Sequence, residues 1–498
     1  MRRPLPKLHG FQVEDLKRQL KARTICNNLP LGAGKTLINL ACIQVCIDMG
    51  LADTAIVVTK KSTIPTAWEG AIHKFFPHLS YKVCHGDISR KKREAIWADS
   101  DIPDLYICNY EAMTNKLDGA YMAALVRNHR VVLIADEAHY LRNVETLRHS
   151  AWVGLADRAV RVIPTTATPV QTSPLDLYGM LSALRFPGLP SRRAWLLEWC
   201  NCKVIQIPVP MSRRGYREER IPVSFKRHKL ADLRPILTNW FIRRSPDLIK
   251  LPPLVDETRL IDLTASERKA YMEAEGELAR ATDAYKGDEP ALRAALYSAL
   301  SATSELRAIC SGKRAEGIPA KDEELMSMLP EMTADGQKVV VYSPYSQTVE
   351  RLIDNCSRAF PEWRFVRITG SDSAGSRGRA VRRLIKDDSV KVLFMTDAGA
   401  EGIDGLQEKC SRMVFFDRTY NPAQEDQILG RVYRQGQKSS VVCIRFLAAG
   451  TIEEKIEQTL LRRRDVMDAV DHLSRQELTD VARSLLSARA GPGKKVGK

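Results

Sequence analysis

Short apolar runs alternate with amphipathic stretches through the first third of the chain. Ala55–Thr59, Leu105–Cys108, Val131–Ala135 and Val160–Thr165 have the length and composition of buried strands. Between them, Thr36–Met49, Thr66–Phe76 and Gly119–Asn128 carry apolar residues at helical spacing. Such alternation predicts a parallel sheet covered by helices. The pattern returns near Gln337, where KVVVYS, RFVRIT, VKVLFMT, RMVFFD and SVVCIRF predict five more strands with helices between them. The intervening stretch has a different texture: Trp195, Trp199 and Trp240, a basic run over Met211–Arg220, the punctuation Leu251-Pro252-Pro253, and long helical patterns from Ser266 to Cys310. The expected fold is α/β, with parallel-sheet lobes at residues 1–185 and 331–470. A mainly helical insertion region is expected at 186–330, and a helical end with a basic tail at 471–498.

Composition narrows the class without naming a task. A chain of 498 residues exceeds one ordinary core, so two or three domains are expected. Hydrophobic content of 44% fits folded domains. No apolar run is long enough to span a bilayer, and the start MRRPLPKLHGFQ lacks the apolar segment of a secretory leader. The 11 cysteines are scattered, and Cys200 and Cys202 lack C-x-x-C spacing. Small core residues in a reducing intracellular compartment are expected, cytoplasm or nucleoid if the source is bacterial or phage. A formal net charge of +16 favours an extended polyanion as partner, leaving DNA and RNA both open.

Three constellations carry chemistry. In VVLIADEAHYLRN (131–143), a buried strand delivers Asp136 and Glu137 to its carboxyl end, where open parallel sheets bind ligands. Asp136 can serve a magnesium ion through its water shell, and Glu137 can polarise an attacking water. In LPLGAGKT (29–36), Gly32, Ala33 and Gly34 form a loop whose amides can approach phosphate oxygens. Lys35 would reach the β- and γ-phosphates and the Thr36 hydroxyl would ligate Mg2+. In QILGRVYRQGQ (427–437), Arg431 and Arg434 are three apart on an expected helix, one face of which would carry both. Such a pair can stabilise charge on a transferring phosphoryl group. ATP with Mg2+ is the implied ligand.

In this order of motifs the chain resembles helicase superfamily two, the DEAH-box class, and within it the Swi/Snf-type DNA-dependent ATPases, from about Leu8 to about Glu457. LHGFQ (8–12) is similar to the family's L-x-P-Y-Q, which implies that Gln12 reads the adenine. IVVTKKSTIPTAWEGAIHKFFP (56–77), with Trp68, YICNYEAM (106–113) and TTATPVQ (165–171) resemble further family elements, the last implying that Thr166 and Thr168 couple hydrolysis to lobe movement. FIRRSPDLIKLPP (241–253) and SELRAICSG (304–312) are similar to family segments as well. TDAGAEGID (396–404) implies Gly402 and Asp404 near the nucleotide, and FFDRTYNPAQEDQILGRVYRQGQ (415–437) resembles the closing motif. WLLEWCNCK (195–203) is most similar to the compact annealing-helicase branch. Leu29 and Pro30 stand where the family has an acidic pair, Ala167 where it has glycine, and Asp404 where it commonly has asparagine.

The resemblance implies two RecA-like lobes that bind ATP in their cleft and an ATP-driven translocase or remodeller on double-stranded or branched DNA. It offers Thr59, Lys60, Asn109, Tyr110 and Thr396 as a DNA track. Two rivals remain open at this stage: a strand-separating helicase on RNA or single-stranded DNA, and an ATP-switched DNA-binding adaptor with little turnover.

Overall fold

The apolar runs form the central strands of two parallel sheets. The computed structural model describes residues 3–30, 32–169, 174–208, 216–244, 251–283, 301–397, 403–419 and 422–458. The chain divides into two compact units, one of residues 1–206 and 218–251 and one of 207–217 and 252–498.

In the first unit, β1 (Cys26–Asn28), β2 (Thr54–Thr59), β3 (Tyr81–Cys84), β4 (Leu105–Asn109), β5 (Val131–Asp136) and β6 (Arg161–Thr165) are the early strands. β7 (Cys200–Pro208) and β8 (Tyr216–Phe225) make a two-stranded sheet, and β9 (Phe241–Arg243) returns to the large one. The seven-stranded order is β3-β4-β2-β5-β6-β1-β9, parallel at every pairing. β2, β4 and β5 are buried along their whole length, as strands covered on both faces must be. Helix α1 (Gly10–Lys21) packs on α2 (Lys35–Asp48). α2 is buried on most of its circumference, through Ile38, Leu40, Ala41, Cys42, Ile43 and Cys46. Thr66–Phe76, expected as one helix, is a π-helical stretch over Ile64–Glu69 followed by an α-helix over Gly70–Phe75.

The second unit contains β10 (Leu254–Ile261), β11 (Lys338–Tyr342), β12 (Arg364–Ile368), β13 (Val390–Met395), β14 (Cys410–Phe415) and β15 (Val441–Ala448) in the order β10-β15-β14-β11-β13-β12, again all parallel. Its edges are half-exposed and charged: β10 reads LVDETRLI and β12 reads RFVRI. Charge on edge strands discourages pairing with other chains.

Among its described residues, the stretch expected as a mainly helical insertion at 186–330 carries several helices and also four strands. β9 completes the first sheet, β10 completes the second, and β7 with β8 adds a third, so this stretch is shared between units. The reason is length and pattern: β9 has three residues and β10 alternates weakly, so neither stands out from its loops in sequence. The helical end and tail called at 471–498 lie outside the described residues. Among the described residues no helix is long and apolar enough to cross a membrane.

A buried ion network braces the second unit. The Lys321 ammonium, 1% exposed, lies 3.4 Å from Asp417 Oδ1 and 2.9 Å from Glu453 Oε2, and it donates to the Phe416 carbonyl. Burial acts to strip its proton, but the charges of Glu453 and Asp417 outweigh burial and hold it protonated. Asp417 also accepts from the Ser311 and Ser343 hydroxyls. Lys321→Ala would leave two carboxylates buried without their cation, a loss of about 3–5 kcal/mol. Hydrogen exchange in β11 and β14 should accelerate accordingly, while the first unit's strands keep their protection; unchanged β14 protection would refute the bracing role.

Candidate functional site

The phosphate loop follows β1 and turns into α2. Gly32 and Gly34 adopt φ of +78° and +83°, the left-handed region that costs a side chain most. A Cβ on Gly34 would come within 2.6 Å of Gln12 Nε2, so a side chain there would strain the backbone and push the Gln12 amide from its place. Gln12, 1% exposed, donates from Nε2 to the Ala33 carbonyl (3.0 Å), and its Oε1 accepts the His9 amide (2.9 Å). The structure thus places Gln12 behind the loop as its support. Lys35 opens α2, and its Nζ donates to the Leu29 and Pro30 carbonyls at 3.1 and 3.2 Å. Thr36 follows it on the same first turn. Leu31 lies outside the described residues.

β5 delivers Asp136 to the carboxyl edge of the sheet, two strands from β1. Asp136 Oδ2 accepts from Thr59 Oγ1 (3.1 Å) and Trp68 Nε1 (2.9 Å), and Oδ1 accepts the Glu137 amide (3.1 Å). Tyr110 donates to the Asp136 carbonyl at 2.6 Å. Glu137 has φ 53° and ψ 49°, a left-handed conformation unusual for a residue with a side chain. Its carboxylate lies 3.3 Å from His139 Nδ1. Burial and the charge of Glu137 push the Asp136 carboxyl up, against the hydrogen bonds from Trp68 and Thr59 and the charge of Lys35. Burial also pushes Glu137 up, but the His139 hydrogen bond and the charges of His139, Lys35 and Lys60 outweigh it and hold Glu137 well below the ordinary carboxylate range. Glu137 is therefore the carboxylate of the pair that stays ionised.

Further along the same edge, Thr166 Oγ1 lies 3.4 Å from His139 Nδ1 and accepts the Thr168 amide at 3.2 Å. Asn28, the last residue of β1, donates to the Thr166 and Ala167 carbonyls at 3.0 and 2.8 Å. Loop, carboxylates and the 165–168 turn are thus linked within one unit. Asn39 on α2 ties in as well, donating to Thr165 Oγ1 (2.9 Å) and accepting from Gln19 and Asn27. Asn28, Asn39, Trp68 and Tyr110 carry this support. Sequence reasoning missed their roles, though two asparagines at the buried end of β1 were a signal.

In the second unit, Arg434 Nη1 pairs with Asp404 Oδ1 at 3.1 Å, and Arg431 donates to the Ile403 carbonyl at 3.2 Å. The two motifs around residues 404 and 434 therefore meet. The expectation that both arginines ride one helix is corrected: the helix ends at Leu429, and both lie in the turns that follow. The Arg431 and Val432 amides bond three residues back, and Gly436 takes φ +98°. Gln437 ties off the segment by donating to the Cys410 and Val432 carbonyls. Gly402 lies outside the described residues.

Four of the five residues of the expected DNA track are buried. Thr59 is 0% exposed, Tyr110 2%, Thr396 4% and Asn109 6%, so these side chains offer little surface to a phosphate. Thr59 and Tyr110 instead hold Asp136, and Asn109 donates to Glu111 at 2.7 Å. Lys60 alone of the five is half-buried, its ammonium 4.8 Å over the Tyr140 ring.

A profile described as the SNF2-related domain matches residues 30–315, and one described as the helicase conserved C-terminal domain matches 320–436. The chain belongs to the SNF2-related family. Its parallel-sheet lobes are the RecA-like pair that membership implies. It is 24% identical to "DNA repair and recombination protein RAD54B" of Gallus gallus over 89% of this chain and 51% of that protein. Identity to "DNA repair and recombination protein RAD54" of Saccharomyces cerevisiae is also 24%, over 91% and 54%. The chain spans about half the length of these curated relatives. A solved structure of the Sulfolobus solfataricus SWI2/SNF2 ATPase core in complex with dsDNA is 21% identical, with a TM-score of 0.42 over 97% of this chain and 98% of that one.

Proposed function

We propose that this chain is an ATP-driven motor on double-stranded DNA, a DNA-dependent ATPase of the translocase type. The observation that carries it is the carboxylate pair Asp136–Glu137 at the carboxyl end of β5, in the same sheet as the strand that leads into the phosphate loop, with the charge of Lys35 acting on both. Membership of the SNF2-related family supports the same assignment.

The donor set fits magnesium. Thr36 and Asp136 offer hard oxygen atoms, and among the described residues no cluster of three histidine, cysteine or acidic side chains forms a cage. That is the pattern of an ion held largely by substrate phosphates. Bound there, magnesium would neutralise phosphate charge. The loop amides and Lys35 bind and orient the triphosphate, Glu137 accepts the proton of the attacking water, and His139 fixes the Glu137 carboxylate. Arg431 and Arg434 stabilise charge on the transferring group. Eleven free cysteines, ten of them buried, support an intracellular reducing compartment.

The testing experiment is ATP turnover with duplex, forked and single-stranded DNA and with RNA, matched in length and salt. Duplex or branched DNA should stimulate most, with little dependence on base sequence. DNA binding should weaken steeply as salt rises, because a chain of net charge +16 binds by releasing counterions. RNA as the strongest activator would replace the DNA motor by an RNA helicase.

A further inference from the structure

A cavity of about 660 Å³ opens in the first unit, lined by Arg90, Arg93, Asn115, Lys116, Leu117 and Tyr121 among others. None of the nucleotide-site residues lines it. It lies where two helices begin, Arg90–Ala98 after β3 and Lys116–Asn128 after β4 and a short helical turn. Because the sheet is parallel, the helix that follows β3 begins on the side of its carboxyl edge.

The charge at this place works against the fold. Arg90, Lys91, Lys92 and Arg93 crowd the first turn of their helix, which holds no acidic residue and takes no side-chain cap from Ser89. A helix start already carries positive partial charge, so cations there destabilise it unless an anion arrives. Arg90 pairs with Glu94 and Arg93 with Asp118, while Lys91, Lys92 and Lys116 make no ion pair among the described residues. Charge alone fits many anions. The walls narrow the choice. Tyr106, Trp97 and Tyr121 form a run of near-parallel rings, 4.7 Å and then 6.2 Å apart, ending at the cavity. Asp118, fully buried, accepts from Trp97 Nε1 and from Arg93, and Asn115 caps the Leu117 and Asp118 amides. One buried carboxylate therefore fixes a cation and the ring stack beside it before any ligand arrives. A preset cation next to a planar apolar wall suits a phosphate joined to a base, and the volume is in the range of about 300–1,000 Å³ usual for such sites.

We propose that this cavity binds a nucleotide, with the base against Tyr121 and Leu117 and the phosphate at Lys116 and the basic first turn. The nucleotide is either an unpaired residue of a DNA strand or a free mononucleotide; the first source rests on the motor reading, the second does not. An unpaired base held here would give preference for gapped or branched DNA.

The test uses the full chain with four probes: a duplex carrying one unpaired 2-aminopurine, the same duplex fully paired, dAMP alone, and polyglutamate. The parent should bind the unpaired probe about tenfold more tightly than the paired one, since stacking on one aromatic ring supplies that much, with a change in 2-aminopurine fluorescence. Lys116→Glu and Tyr121→Leu, both on partly or fully exposed positions, should each abolish that preference and leave paired-duplex binding within about twofold. Saturable dAMP binding lost in the same variants, without the duplex preference, would identify the free nucleotide as ligand and uphold the site. A preference unchanged in both variants would overturn it, as would polyglutamate binding that depends on Lys116 while neither nucleotide probe does. ATPase stimulation of the parent by paired duplex reads the motor assignment separately.

Discussion

Glu137→Gln should bind ATP about as well as the parent and turn it over about 10²–10⁴ times more slowly, the range set by losing a general base. The amide keeps the size of the side chain but cannot take a proton from water. The phosphate loop keeps its own supports in this variant: Gln12 donates to the Ala33 carbonyl and Lys35 to the Leu29 and Pro30 carbonyls. His139 and Lys60 keep the parent Glu137 ionised, so the loss should persist across neutral pH and not be rescued by raising it. Glu137→Gly makes a useful partner. Glycine accepts φ near +53° without strain, so this variant should be as inactive yet fold at least as stably, recovering on the order of 1 kcal/mol of backbone strain. Single-turnover kinetics with a nucleotide-binding measurement distinguishes the cases. A Glu137→Gln protein that fails to bind ATP would make Glu137 structural and remove it from the chemistry.

Arg431→Ala and Arg434→Ala should each slow DNA-stimulated hydrolysis by about 10³–10⁵, as loss of an arginine from a phosphoryl-transfer site does. The double variant should be little worse than either, because both arginines act on one transition state. Lysine is a poor substitute, since the planar fork that reaches Asp404 and the Ile403 carbonyl is what would grip phosphate oxygens. Near-parent ATPase in either single variant would take that arginine out of the reaction. Duplex-stimulated turnover that survives in both would leave an ATP-switched adaptor untenable and require another source of positive charge.

The two parallel sheets and the motifs proposed to react were legible in the sequence for a common reason. A phosphate loop, a carboxylate pair at a strand end and an arginine turn are each a few contiguous residues, and parallel sheets put strand ends where ligands bind. All five strands expected in the second lobe are present, from β11 to β15, because each is an apolar run flanked by polar turns. β9 and β10 were not legible, being too short or too polar to carry a period.

The arginine turn shows a subtler failure. Spacing of three suggested a helical face, and the segment does begin as a helix. It leaves that helix after Leu429 because Gly430, Gly436 and the Gln437 side chain favour turns, and the partners of Gln437 include the Cys410 carbonyl, 27 residues away.

What sequence determined by itself was local: which side chains bear charge, which loop is built of small residues before a lysine, and that strand and helix alternate. What only the tertiary structure decided was which polar residues serve the ligand and which serve those residues. Trp68 and Tyr110 reach Asp136 from 68 and 26 residues away, and Asn28 clasps the Thr166 turn from 138. Thr59, legible as a candidate for DNA, is spent on Asp136 and Thr63. A buried hydroxyl must find a partner, and its partner is set by the packing of the sheet, which no local pattern records.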